Sequence, residues 1–155
     1  MIYLFDENVI INFFKLYPKE VFSKLHDDIQ KIIDEGRIFC VDSMFDNLSS
    51  KNKDDEMQKF LKQNKEIFLE PTEAEFKFIK ELFIKQHYRE RLITNADVLA
   101  TKSDISDPYL VAKSHLENHT LVTDEKRTKM PWVCEKFNIK CIDRLNFFVE
   151  ENLKY

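Results

Sequence analysis

The sequence predicts an α/β fold in which a mostly parallel sheet is covered by helices. Short apolar runs alternate with segments of helical periodicity, which is typical of parallel strands joined by crossover helices. Acidic residues follow some of these runs directly, as at the ligand-binding edge of an open sheet. The chain has 155 residues, of which 43% are hydrophobic, and this suits one core better than two. We therefore expect a single domain over residues 1–155.

Four short apolar runs are the predicted strands. They cover residues 2–5, 37–41, 120–123 and 139–142. Asp6 follows the first run, and Asp124 and Glu125 follow the third. Because ligands bind outside the carboxyl ends of strands in open α/β sheets, these acids are the first candidates for a functional site.

Helical periodicity fills the intervals between the predicted strands. The expected helices cover residues 9–14, 18–35, 42–48, 55–64, 72–91, 108–118, 131–137 and 143–152. Gly36, the only glycine, and Asn118 suit the left-handed ends of two of them. The helices over 55–64 and 72–91 are expected to form a helical flap on the sheet, at about 55–91. Residues 49–55 predict a loop, and residues 92–104 follow no clear pattern.

Composition narrows the class of protein. The formal charge is −4, so attraction to a nucleic acid must be local and not a property of the whole molecule. The three cysteines, Cys40, Cys134 and Cys141, lack the spacing of a zinc knuckle and predict reduced thiols in a cytoplasmic protein. No apolar run approaches the roughly 20 residues that cross a bilayer, and the first residues do not resemble a leader, so we expect no membrane association.

Carboxylates from distant parts of the sequence are expected to meet at one sheet edge. Asp107 is the predicted N-cap of a helix that advances roughly 16 Å, and the strand after it returns roughly 13 Å. Asp107 is therefore expected near Asp124 and Glu125, with Asp6 at the same edge. Several carboxylates this close repel one another unless a cation joins them, which predicts a Mg²⁺ or Mn²⁺ site. The alternative is that each acid only caps a helix or ends a strand.

Four passages carry a resemblance to a known family. They are YLFDENVII at 3–11, FCVDSMFDNL at 39–48, SDPYLVAKS at 106–114, and TLVTDEK at 120–126 with WVCEKFNIKCID at 132–143. In this order they resemble a PIN domain, and more narrowly the small bacterial and phage PIN-like proteins that are proposed as toxins. The resemblance implies a three-layer α/β/α fold and a ribonuclease that depends on Mg²⁺ or Mn²⁺. It also implies an RNA substrate, a protein antitoxin as partner and a homodimer.

The resemblance also implies roles for individual residues. Asp6 and Asp107 match the family's catalytic aspartates, Asn8 matches the Asn that follows the first of them, and Thr123 with Glu125 matches its Thr-x-acid pattern. Asp124 remains an adjacent helper or an alternative ligand. The implied catalytic residues are Asp6, Asp107, Glu125, Asp124 and Asn47, and the implied metal ligands are the four acids among them. The residues expected to contact RNA are Lys126, Arg127, Asn8 and Thr123.

One position departs from the family pattern. Where the family carries Glu within an aromatic-Asp-Glu-Leu pattern, this chain has Asn47. An amide offers a carbonyl oxygen but no charge, and Asp46 lies about 100° away around a helix, so Asp42 or Glu7 is the expected replacement. Natural divergence, weakened activity and a deliberate substitution all remain open. We expect Asn47→Glu to raise Mn²⁺ affinity.

Asn47 also keeps other functions open. The first alternative is a catalytically weakened or inactive PIN-like protein that acts as an interaction module. The second is an aspartyl-phosphate enzyme with Asp6 as nucleophile, which needs an acid where this chain has Asn8.

Basic residues complete the sequence-based interpretation. Lys126, Arg127 and Lys129 follow the acids directly and are expected to bind RNA phosphates. The charges on the helix over 72–91 are expected to form a solvated face. Trp132 is expected to be a packing residue.

Overall fold

The computed structural model describes residues 1–51, 53–92 and 106–155, and within them the strands form one parallel sheet. Its strands are β1 Tyr3–Phe5, β2 Ile38–Val41, β3 Phe68–Leu69, β4 Thr120–Val122 and β5 Cys141–Ile142. Their order is β3-β2-β1-β4-β5, and every neighbouring pair is parallel. The predicted parallel sheet is therefore confirmed.

Helices cover both faces of this sheet. They are α1 Glu7–Leu16, α2 Ser23–Asp34, α3 Asp42–Lys51, α4 Asp55–Gln63, α5 Glu73–Ile84, α6 Gln86–Leu92, α7 Ser106–Glu117, α8 Met130–Lys136 and α9 Arg144–Glu150. A short 3₁₀ helix, Lys65–Ile67, precedes β3. Across the described ranges no helix has the length and apolar character needed to cross a bilayer.

Aromatic side chains mark the two helical layers. Phe14 of α1 packs against Phe60 of α4, with their ring centroids 5.3 Å apart. In the other layer, Phe76 of α5 packs on Tyr109 of α7 at 5.6 Å. Such edge-to-face pairs add to the free energy gained by burying apolar area. The three-layer α/β/α arrangement that the resemblance implied is confirmed.

The central strand β1 lies at the point where the order of the strands reverses, although all strands run in the same direction. Strands β2 and β3 extend the sheet on one side of β1, whereas β4 and β5 extend it on the other. Leu4 pairs with Leu121 of β4 and is fully buried, as expected for a strand covered on both faces. In α/β sheets this switch point opens a crevice at the carboxyl ends of the strands, which is where Asp6 lies.

Several element boundaries differ from the sequence-based expectation. Strand β3 was not predicted, because two residues inside a helical region carry no detectable period. The helix expected over 72–91 is interrupted at Lys85, which has extended backbone angles and separates α5 from α6. Helix α2 begins only at Ser23, because the amides of Val21 and Phe22 bond back to Pro18 in turns.

Other boundaries differ by shorter distances. Helix α3 runs on to Lys51, and Asp107 lies within the first turn of α7 instead of capping it. Gly36 and Asn118 have the expected positive φ, at 72° and 56°. The expectation for residues 92–104 falls outside the described residues apart from Leu92, which ends α6, and so does Asn52 of the expected loop.

A buried ion pair joins α5 to α7. The Lys113 ammonium lies 2.8 Å from one carboxylate oxygen of Glu75 and donates to the other at 3.1 Å. It also donates to the Glu70 carbonyl at 3.0 Å, and the Thr72 hydroxyl donates to Glu75. Only 6% of the Lys113 side chain and 3% of the Glu75 side chain is exposed. Each charge is thus paired and hydrogen-bonded away from water, which fixes the helix that carries Asp107.

We predict that Lys113→Met destabilises the protein by about 3–5 kcal/mol, because Glu75 would remain as a buried charge without a partner. Urea unfolding measures this loss. The matched control is Lys24→Met, which removes the exposed pair with Asp28 and should cost under about 1 kcal/mol. Equal losses for the two variants would show that the buried pair does not anchor α7.

Candidate metal centre

Asp6 connects the central strand to the first helix. It follows β1, is 3% exposed, and its Oδ1 accepts a hydrogen bond from the Glu7 amide at 2.7 Å, which caps α1. Its Oδ2 accepts from the Thr123 hydroxyl at 2.8 Å. Both carboxylate oxygens are therefore oriented by bonds to the ends of two neighbouring strands.

Asp107 and Glu125 lie beside Asp6. Carboxylate oxygens of the three residues all fall within 4.8 Å of one another. Asp107 lies in the first turn of α7, and Glu125 lies in the loop after β4. The Glu125 amide donates to the Thr123 hydroxyl at 3.1 Å, and its Oε2 accepts from the Met130 amide at 3.3 Å. The three acids come together although they are far apart in the sequence.

The pKa values reflect this crowding. Burial, together with the charge of Glu125, raises the pKa of Asp6 to about 7, although the Thr123 and Glu7 bonds oppose the shift. Burial raises the pKa of Asp107 well above its ordinary value, and the charges of Asp6 and Glu125 raise it further. Asp6 and Asp107 therefore hold a proton more readily than free carboxylates do unless a cation is bound.

The donor set fits a hard divalent cation. Among the described residues, no lysine or arginine forms an ion pair with Asp6, Asp107 or Glu125. Three carboxylates that pair with none of the described basic residues supply the oxygen ligands that Mg²⁺ and Mn²⁺ prefer. The cluster can hold such an ion and leave positions for water and a phosphate oxygen.

Asp124 lies outside the cluster formed by Asp6, Asp107 and Glu125, and its role as an adjacent helper or an alternative ligand remains a prediction. Its Oδ2 accepts from the Arg144 guanidinium at 2.5 Å and from the Asn12 amide at 3.0 Å. Its Oδ1 accepts from the Arg144 backbone amide at 3.1 Å. Both oxygens are therefore engaged with α1 and α9. Arg144 was not anticipated, because α8 and β5 separate it from its partner, which lies 20 residues away in the sequence.

Two of the residues expected to contact RNA, Thr123 and Asn8, form hydrogen bonds with the acids at this edge or with the backbone beside them. Thr123 is 3% exposed and bonds to both Asp6 and Glu125, so it orients the acids, and a contact between Thr123 and RNA remains a prediction. Asn8 is half-buried, and its side-chain oxygen accepts from the Asp124 amide at 3.2 Å. A contact between Asn8 and RNA remains a prediction.

Lys126 and Arg127 lie where the sequence suggested. Both side chains are exposed, and with Glu125 they line a cleft of about 470 Å³ between the loop after β4 and the start of α9. Positive charge therefore borders the acidic cluster on this side. Phosphate contacts need this arrangement, and the role itself is still a prediction.

Asn47 lies outside the cluster and contacts Glu7. Its side-chain amide donates to a carboxylate oxygen of Glu7, the residue after Asp6. The negative charge of Glu7 contributes to the raised pKa values of Asp6 and Asp107. The amide at position 47 thus holds a fourth carboxylate close to the other three. The hydroxyls of Ser43 and Ser106, 2.7 Å apart and buried, join α3 to α7 beneath it.

The fold is similar to that of a solved structure from Rickettsia felis. The match is "Crystal structure of VapBC2 from Rickettsia felis bound to a DNA fragment from their promoter", with a TM-score of 0.53 and 16% sequence identity. It covers 92% of this chain and 98% of that chain. At this identity the likeness shows the fold alone, which is the PIN-like α/β/α fold.

The sequence itself places the chain in a family. The model of the family described as "Domain of unknown function (DUF4411)" matches residues 3–155. The protein belongs to this family. No curated protein sequence matches it.

We predict that the metal-free protein loses stability as the pH rises from about 4 to 8. The pKa of Asp6 is about 7 in the folded state and 3.8 in the unfolded chain, so the folded state binds more protons within this window. Asp6→Asn should abolish much of the loss and raise stability at pH 8 by on the order of 3 kcal/mol. Urea unfolding at pH 5 and 8 in a chelator measures both effects.

The control for this experiment is Asp27→Asn, at an exposed position of α2. It should follow the wild-type pH dependence. A wild-type stability that stays constant from pH 5 to 8 would contradict the raised pKa values. Adding Mn²⁺ at pH 8 should stabilise the wild type and leave Asp6→Asn nearly unchanged, because binding to the folded state alone raises stability.

Proposed function

We propose that this protein is a Mg²⁺- or Mn²⁺-dependent endoribonuclease. The observation that carries the proposal is the convergence of Asp6, Asp107 and Glu125 within 4.8 Å at the switch point of a parallel sheet. The PIN-like fold and the resemblance of the sequence to PIN-domain nucleases support the same conclusion.

Asp6, Asp107 and Glu125 are the residues that would hold the cation. When bound, it supplies a Lewis acid that stabilises charge developing on a phosphodiester and activates water. The chain itself supplies preorganisation. Thr123 fixes the orientation of Asp6, and the Met130 amide fixes that of Glu125. Ligands held in place before substrate arrives need no costly reorganisation during reaction.

The charges around the cluster support RNA as the substrate. Lys126 and Arg127 are exposed along the cleft that Glu125 lines, and their charges are suited to phosphates on either side of a scissile bond. Asn8 contributes through the loop that it holds, because its oxygen accepts from the Asp124 amide.

We further propose a biological setting. The resemblance to PIN-like toxins and the likeness in fold to VapBC2 support a cytoplasmic toxin of a toxin–antitoxin or defence system. In this setting a protein antitoxin restrains the enzyme, and a homodimer is the assembly that the resemblance implies.

The bond between Asn47 and Glu7 favours a second candidate function. The amide of Asn47 donates a hydrogen bond to Glu7 and brings no charge of its own. This is compatible with a weakened or inactive nuclease that acts as an interaction module. The following experiment distinguishes the two functions.

We predict Mn²⁺-dependent cleavage of mixed single-stranded RNAs by the wild-type protein. Asp6→Ala and Asp107→Ala should each reduce the rate at least 100-fold, because each removes a ligand from the cluster. Gel analysis of end-labelled RNA with and without a chelator measures the rate. Asp27→Ala is the matched control and should cleave like the wild type. Absence of metal-dependent cleavage by the wild type would favour the interaction module.

Asn47→Glu tests the departure from the family pattern. In this variant a carboxylate would face Glu7 in place of the amide, so the metal-free protein should be less stable and a cation should be bound more tightly. We expect at least a tenfold lower Kd for Mn²⁺ by isothermal titration calorimetry. Asn47→Gln is the control, because it has the length of Glu without its charge and should not gain affinity. Equal titration curves for Asn47→Glu and the wild type would contradict the prediction.

A further inference from the structure

Two segments of the chain concentrate positive charge. Helix α6 with the preceding Lys85, together with residues 126–136, carries seven lysines and arginines and only two glutamates, in a chain with a net charge of −4. Helices α6 and α8 pack against each other, so these charges lie on neighbouring elements. The basic residues are Lys85, Arg89, Arg91, Lys126, Arg127, Lys129 and Lys136.

Aromatic rings lie among these charges. The Arg91 guanidinium lies 3.7 Å from the centre of the Trp132 ring, and the Lys136 ammonium lies 5.1 Å from it. The rings of His87 and Tyr88 approach Trp132 at 5.9 and 5.8 Å. Trp132 and Tyr88 are half-buried and His87 is exposed. The sequence-based interpretation of Trp132 as a packing residue is therefore incomplete, because two cations contact a ring that is only half-buried.

This arrangement, called here the α6–α8 surface, consists of Lys85, His87, Tyr88, Arg89, Arg91, Trp132 and Lys136. Helix α8 connects this surface to the acidic cluster. Pro131 lines the cleft that holds Glu125, Lys126 and Arg127, and Trp132 follows it directly. The Met130 amide, at the start of the same helix, donates to Glu125. Helix α8 thus leads from the acidic cluster to the aromatic rings.

We propose that the α6–α8 surface binds single-stranded RNA and guides the strand toward the acidic cluster. The inference rests on the proposed nuclease function, for which it specifies the substrate class. Bases stack on aromatic rings and on guanidinium planes whatever their sequence, and lysines contact the backbone between them. Paired bases in a duplex cannot reach the rings in this way, so the surface selects unpaired strands.

An acidic polypeptide would also be attracted by these charges. The rings favour RNA, because stacking on Trp132 and His87 needs planar partners that carboxylate side chains do not supply. The experiment includes an acidic polypeptide so that the two classes of ligand can be distinguished.

The fluorescence of Trp132 reports RNA binding at this surface, because Trp132 is the only tryptophan in the sequence. We expect a single-stranded homopolymeric RNA to quench its fluorescence in metal-free buffer, where no cleavage occurs. A duplex RNA of equal length and poly-glutamate should leave the emission nearly unchanged. Trp132→Leu, followed by the anisotropy of labelled RNA, should weaken binding about tenfold, the effect expected for loss of one stacked base.

The charges are tested by a second variant that keeps the rings. This variant combines three substitutions of exposed side chains, Lys85→Gln, Arg89→Gln and Lys136→Gln. It should reduce the slope of the logarithm of the RNA association constant against the logarithm of the salt concentration by about 2, at roughly 0.7 per phosphate contact. The matched control combines Lys31→Gln, Lys53→Gln and Lys62→Gln, three exposed lysines outside this surface, and should keep the wild-type slope.

The outcomes separate this inference from the proposed function. Quenching by single-stranded RNA that depends on Trp132 and the three basic residues, without cleavage when Mn²⁺ is added, would support the surface and reject the nuclease. Cleavage that neither variant affects would support the nuclease and overturn the surface. Quenching by poly-glutamate but not by RNA would overturn the inference in favour of an acidic protein partner.

Discussion

Three carboxylates lie within 4.8 Å of one another, with Asp6 buried and Asp107 and Glu125 half-buried, and this crowding is the constraint on which the rest of the structure depends. Like charges at this distance are costly away from water, so the surrounding fold must hold them in place. The parallel ladder does this by ending β1 and β4 at the same edge, where the Thr123 hydroxyl joins Asp6 to the Glu125 amide. A neutral hydroxyl orients the acids without cancelling the charge that a cation needs. The stability that the protein gives up at this edge is supplied by its apolar core.

Polar contacts outside the cluster fix the elements that carry its carboxylates. The Lys113–Glu75 pair fixes α7 against α5, and the Ser43–Ser106 bond fixes the start of α7 against α3. Arg144 holds Asp124 away from the cluster, so the two adjacent acids after β4 have different environments. One of them is a candidate ligand, and the other positions the loop. Side chains that touch no substrate therefore determine where the ligands lie.

The sequence allowed much of this architecture to be predicted, and the failures have physical causes. The order of apolar runs and helical patterns was sufficient for β1, β2, β4 and the parallel sheet, because buried strands and amphipathic helices have different periods. Strand β3 has two residues, too few to show any period. The convergence of Asp6, Asp107 and Glu125 was predicted from strand direction, from the lengths of the helix and strand after Asp107, and from the resemblance to PIN domains. The partner of Asp124 and the burial of Thr123 were not, because both depend on how α9 and the sheet edge pack in three dimensions.

The reversal of strand order at β1 has a consequence for synthesis on the ribosome. Strands β1 to β3 come from the first 69 residues, whereas β4 and β5 come from Thr120 and the residues after it. The acidic cluster lies at the boundary between these two groups. A nascent chain presents Asp6 early, but its two carboxylate neighbours, Asp107 and Glu125, are synthesised much later. The carboxylate cluster therefore cannot form on the nascent chain before Glu125 has been synthesised. Strand order thus separates the synthesis of the first acid of the candidate metal centre from the completion of that centre.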